Sequence, residues 1–152
     1  MSDERYTVYV DVSAKIEQWK KNSVIAVAND HTVTLLISAK TKAAVATTLQ
    51  DRDTIQYTLL AVFTYLAVRT HLAQIRRIVI DMDYSGEVAT RTIQRKLAEL
   101  LQQDDPTFKR QNIIIKNVAG TQADLLARAA YQGKIKVSGE ITLQDILNAL
   151  AK

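Results

Sequence analysis

The chain reads as an α/β protein built on a mixed β-sheet with helices packed against it. Three observations lead there. Residues 6–13 alternate in the two-residue period of a strand, and 23–29 and 32–38, joined by an Asn-Asp turn signal, read as two further strands. From residue 53 onward, helical and strand-like stretches take turns. Val79 and Ile80 lie in a near-continuous apolar run, as an interior strand covered on both faces requires. Three antiparallel strands followed by strand–helix units imply one mixed sheet with helices on it.

The first strand, Tyr6–Ser13, is mostly β-branched or aromatic. Val8, Val10 and Val12 point one way; Thr7, Tyr9, Asp11 and Ser13 point the other. Residues 15–22 are polar around a single Trp19 and read as a loop or broad turn. Strands 23–29 and 32–38 are joined by Asn29-Asp30-His31, where Asn and Asp tolerate the backbone a hairpin needs. Residues 39–52 are rich in Ala, Thr and Lys and fit a loop, a strand extension or a short helix. Ile55, Leu59, Val62, Phe63 and Leu66 fall at helical spacing, in a helix over 55–68 buried on much of its circumference.

The fourth strand spans 75–82. Tyr84-Ser85-Gly86 turn into a helix over 87–103, which Asp104-Asp105-Pro106 stops. The fifth strand spans 112–118. Gly120 breaks it, Thr121 caps a helix to residue 132, and Gly133 ends that helix. A short strand at 135–137 and an amphipathic helix over 142–151, on Leu143, Ile146, Leu147 and Leu150, complete the chain. The 152 residues suit a single domain, with a core of about 6–133 and a strand–helix extension over 134–152.

Composition narrows the function classes. Hydrophobic content of 47% and charge of 24% belong to an ordinary globular protein. There is no cysteine, which rules out disulfides and thiolate metal sites and suits a reducing compartment. No apolar run approaches the roughly 20 residues of a membrane span. The charged start, Met-Ser-Asp-Glu-Arg, does not read as a secretory signal. A cytoplasmic protein is expected. The net charge is +4 and the pI about 9.3, with the basic excess in residues 106–152 and at Lys15, Lys20 and Lys21. Such patches suit a phosphate-bearing partner or an ordinary solvated surface equally well.

The acids carry the chemistry. A carboxylate at the end of a buried strand is costly unless something compensates it. The first strand ends near Asp11, and the fourth in Asp81-Met82-Asp83. Side by side, the two would bring their acids together around divalent metal. The only histidines, His31 and His71, sit in the hairpin and at a helix end, poor places for catalysis.

This order of elements, with acids at these points, resembles the ribonuclease H-like fold, and type 1 ribonuclease H in particular. The family's first strand ends in Asp-Gly-Ser; here it reads Asp11-Val12-Ser13. Its first helix carries a Glu, often followed by Tyr-Thr; here the stretch is Ile55-Gln56-Tyr57-Thr58. Its fourth strand ends in an Asp followed by a helix, as Asp83-Tyr84-Ser85 does. Its last catalytic acid opens a helix close to Ala-Asp-Glu-Leu-Ala; here it is Ala123-Asp124-Leu125-Leu126-Ala127. The match covers residues 6–133. Three features depart from the family pattern: Gln56 replaces the Glu, Val12 replaces the glycine, and the loop 119–121 lacks the His that some members place there.

The resemblance implies a five-stranded mixed sheet, three antiparallel strands then parallel ones. It implies hydrolysis of the RNA strand of RNA–DNA hybrids with Mg²⁺ or Mn²⁺. Two such ions roughly 4 Å apart activate the water and stabilise the leaving oxygen. Asp11 would bridge both, Asp83 and Asp124 would each hold one, and Gln56 would offer a neutral carbonyl oxygen. Asp81 either restores the lost charge or lies deeper, paired with an arginine. Lys15, Lys20, Lys21, Arg91, Arg95 and Lys96 would flank the acids and hold a nucleic-acid backbone, or simply form helix and loop surface. Structural roles compete: Asp124 stands three residues after Thr121, and Gln56 three after Asp53, both capping-box spacings. The alternative function is a degenerate ribonuclease H-like module that binds nucleic acid or a protein without cleaving, the protein docking on the Leu143–Leu150 helix face. The oligomeric state is open.

Overall fold

The structure is a computed structural model that describes residues 5–29, 32–49, 54–82 and 86–151. Its strands are β1 (Tyr6–Ser13), β2 (Ser23–Ala28), β3 (Val33–Ile37), β4 (Ile75–Asp81), β5 (Ile113–Lys116) and β6 (Gly139–Glu140). Its helices are α1 (Ala39–Thr48), α2 (Ile55–Val68), α3 (Glu87–Asp104), α4 (Gln122–Tyr131) and α5 (Leu143–Ala151).

The strands form one sheet in the order β5-β4-β1-β2-β3-β6. β1 runs antiparallel to β2, and β2 to β3. β4 pairs parallel with β1, and β5 parallel with β4. The protein is therefore α/β with antiparallel strands followed by parallel ones. The sheet has six strands where five were expected. The sixth is Gly139–Glu140, and the stretch 135–137 lies outside the sheet. Ser138 and Thr34 make the join: Ser138 N donates to the Thr34 carbonyl at 2.7 Å, and Thr34 N donates to Ser138 Oγ at 3.1 Å. Ile141 N then donates to the Leu36 carbonyl at 2.8 Å, and the Ile141 side chain is buried. The extension thus closes the β3 edge, which would otherwise expose unpaired backbone.

Of the stretch 39–52, Ala39–Thr48 form helix α1. Ser38 caps it, accepting from Thr41 N at 3.1 Å. Only Lys42 and Val45 of this helix are buried, so it has no apolar stripe. α2 is buried over most of its surface, as its composition required. It packs against α3 and α5, and buried Tyr65 donates its hydroxyl to Asp104 Oδ2 at 2.7 Å. α3 begins after Gly86, whose φ of 105° excludes ordinary side chains. It ends at Asp105, whose carboxylate accepts from Thr107 N and Oγ1. The face of α5 offered above as a docking surface is spent on the protein itself: Ile146 and Ala149 are buried, and Leu143 and Leu150 pack on the core. Among the described residues, no helix is long and apolar enough to cross a membrane.

The two faces of the sheet differ. Val8, Val10, Ile25, Val27, Ile78 and Ile80 belong to the main core with α2, α3 and α5. The opposite face carries Tyr9, Asp11, Ala26, Ala28 and Val79, which the pairings Asp11↔Ala26, Tyr9↔Ala28 and Tyr9↔Val79 align. α4 lies there, against β1 and β2. Its buried residues are Ala123, Ala127 and Ala130.

Candidate functional site

Alternation along β1 turns Asp11 to the α4 side of the sheet, where it is 8% exposed. The parallel register Val10↔Ile80 sets Asp81 of β4 on the same face at the same strand end. Asp124 stands in the first turn of α4, above them. Asp11, Asp81, Asp124, Ser13, Ala14 and Arg128 line one hollow of about 220 Å³.

Each carboxylate is tied to backbone. Asp11 Oδ1 accepts from Val12 N at 2.8 Å, and Asp81 Oδ1 from Val118 N at 3.0 Å. Asp124 Oδ2 accepts from Gly120 N at 2.9 Å. The capping spacing is realised too, with Thr121 Oγ1 accepting from Asp124 N at 3.5 Å. Asp124 also meets Asp11 in a side-chain hydrogen bond, and Arg128 Nη2 lies 3.3 Å from its Oδ1. The Gly120 N–H, then the Asp11 contact, then Arg128 hold the Asp124 carboxyl below its ordinary value, against the opposing effect of desolvation. Asp124 is thus both a helix cap and a partner of Asp11. Two carboxyl groups in contact require a shared proton or a cation between them.

The loop leaving β1 is held from inside the fold. Ala14 sits at φ 64°, a costly conformation for a residue with a Cβ. Ser23 Oγ fixes it by donating to the Ala14 carbonyl at 2.7 Å. Fully buried Lys42 in turn donates to Ser23 Oγ at 2.8 Å and to the Gln18 carbonyl at 2.9 Å. Burial lowers the Lys42 ammonium from 10.5 to about 8, with Glu17 pulling it partly back. Lys42 and Arg128 were not singled out from the sequence. The Asp124–Arg128 spacing of i,i+4 was the available signal for Arg128; nothing in the sequence marks Lys42.

Gln56 and the cations of α3 do not line the hollow. Gln56 lies in the first turn of α2. Asp83 falls outside the described residues, as do His31 and Asp53. Asp81 is held by the Val118 backbone amide, where an arginine was one of the two expectations. Lys15, Lys20 and Lys21 are exposed on the loop after β1, with Lys15 following hollow-lining Ala14. On α3, Arg91 pairs with Glu87 and Lys96 lies 4.0 Å from Glu99, while Arg95 is exposed. Arg91 and Lys96 thus have acids of their own helix beside them, as surface residues do.

As a donor set, Asp11 and Asp124 offer hard carboxylate oxygens, the kind Mg²⁺ and Mn²⁺ prefer. Among the described residues, no group of three or more His, Cys, Asp or Glu side chains is placed to hold a metal ion. A single cation on this pair would need water and substrate oxygens to complete its shell. The two-ion arrangement would need an acid beyond those described.

No protein-family model matches the chain, and no curated protein and no solved structure matches it.

Proposed function

We propose that the chain is a metal-dependent ribonuclease H-like endonuclease that hydrolyses the RNA strand of RNA–DNA hybrids, with its centre at the hollow between β1, β4 and α4. The observation that carries this reading is the contact between Asp11 and Asp124, residues far apart in sequence whose two carboxyls meet with one arginine, Arg128, beside them. The sheet order supports it, with antiparallel and then parallel strands bringing Asp11 and Asp81 to one strand end. The absence of cysteine suits a cytoplasmic setting.

In this reading Asp11 and Asp124 hold Mg²⁺ or Mn²⁺, which when bound activates water and offsets charge on the leaving oxygen. Val12 N and Gly120 N fix the two carboxylates before substrate arrives, and Thr121 Oγ1 holds the Asp124 backbone amide. Lys15, Lys20 and Lys21 draw the phosphate backbone toward the hollow. A hybrid would be told from duplex DNA by its 2′-hydroxyls.

The test is purified protein with a labelled RNA–DNA hybrid, in Mg²⁺ or Mn²⁺, beside Asp11→Asn. Metal-dependent cleavage that the variant loses is the expected result. No cleavage by the parent, or equal cleavage by the variant, rules the enzyme out. One observation favours a second reading: Gln56 stands away from the hollow and the described acids do not form a three-ligand set. A module that binds nucleic acid without cleaving it would then show salt-sensitive binding with no metal requirement.

A further inference from the structure

Away from the acids, at the opposite end of β4, lies a pocket of about 430 Å³ whose charged lining is cationic: Arg5, Arg76, Arg77 and Lys109, beside Gln111 and Asn112. A defect in the sheet builds it. Tyr6 pairs with Ile75 and Thr7 with Arg77, so Arg76 is an extra residue, a β-bulge in β4. Bulges redirect side chains and often stand beside functional sites. This one lets Ile75 join Ile78 and Ile80 in the main core, while two successive arginines line one pocket. In a regular strand, successive side chains would point to opposite faces.

One nitrogen of each of these guanidiniums is left unsatisfied. The Nε atoms of Arg76 and Arg77 are shielded from solvent and have no hydrogen-bond partner. Among the described residues, no carboxylate lines the pocket. Arg5 is partly compensated, since it lies close enough to Asp105 to help hold that carboxyl low. The feature therefore rests on Arg76, Arg77 and exposed Lys109. Shielded donors without an acceptor are costly, and arginine forks match phosphate oxygens in geometry and charge.

We propose that this pocket binds linked phosphate groups, supplied either by a nucleoside triphosphate or by the backbone of a single nucleic-acid strand. It is a second site, about 13 Å along β4 from Asp81 at roughly 3.3 Å per residue, and it does not depend on metal in the acidic hollow.

The test is equilibrium binding at low salt, without divalent metal, to three probes: inorganic tripolyphosphate, a fluorescent nucleoside triphosphate and a short labelled single-stranded RNA. Binding of the triphosphates identifies the first source, and binding of the RNA alone the second. In either case Arg76→Gln and Arg77→Gln should each weaken binding about tenfold or more, and Asp11→Asn should not weaken it. Lys109→Gln, on an exposed side chain, tests the pocket without threatening the fold. Arg76→Lys, which keeps the charge but loses the fork, should retain part of the affinity. No binding of any probe by the parent overturns the site. So does binding that the folded Lys109→Gln and Arg76→Gln proteins share with the parent. Failure of the parent to cleave the hybrid, with its phosphate binding intact, would count against the acidic centre alone.

Discussion

The two faces of the sheet are made of different material. On one, branched side chains of β1, β2 and β4 meet Phe63, Leu97 and Ile146 from α2, α3 and α5. On the other, α4 meets β1 and β2 through alanines: Ala123, Ala127 and Ala130 against a face that carries Ala26 and Ala28. Large side chains fill space and contribute roughly 1.5–3 kcal/mol each when buried. Small ones contribute less but let backbones approach closely. That approach brings a carboxylate as short as that of Asp124, on a helix, into contact with Asp11 on a strand. The first face supplies stability, and the second gives up burial for proximity.

The largest expected effect is on the first face. Phe63→Ala should destabilise the protein by about 3–5 kcal/mol through lost burial and a cavity, read as a shift in urea midpoint. Ala127→Leu addresses the second face. Overpacking there should cost about 1–3 kcal/mol, yet by lifting α4 it should remove divalent-ion binding from a protein that is still folded. An unchanged ion affinity in that variant would mean that the close approach of α4 is not what joins the acids.

Lys42 sharpens the comparison, because it ties the loop after β1 to α1 from within. Its ammonium falls from 10.5 in the unfolded chain to about 8 in the fold. Between those values the unfolded chain binds more protons, so the Lys42 contribution to stability rises as pH increases from about 8 to 10.5. Urea unfolding across that range should show this rise in the parent relative to Lys42→Met. Parallel curves would contradict it. The smallest effect is expected at the cap of α4, where Thr121→Ala should cost about 1 kcal/mol in thermal unfolding and loosen the Asp124 backbone.

Much of the frame was legible because its elements carry strong patterns. β1 alternates, α2 is apolar nearly throughout, and Gly133 marks the end of α4 with φ at 76°. α1 was ambiguous for a physical reason: its buried positions are a lysine and a valine, which leave no apolar period to read. β6 was misplaced by a few residues because Gly139–Glu140 lacks strand-forming side chains and is held by the Thr34–Ser138 exchange, 104 positions apart. The bulge at Arg76 is a matter of register with β1, which no local pattern encodes. At the site, the sequence offered two roles for Asp124, cap and acid partner, and the geometry makes both compatible. The cationic pocket escaped notice because it joins the starts of β1, β4 and β5, which only the parallel pairing brings together.

The most direct measurement is Mn²⁺ binding by titration calorimetry or electron paramagnetic resonance, on the parent, Asp11→Asn and Asp124→Asn. The expected result is saturable binding by the parent that falls at least about tenfold in each variant, as removing one of two anionic ligands implies. No binding by the parent, or the same affinity in all three proteins, would contradict a cation centre at Asp11 and Asp124.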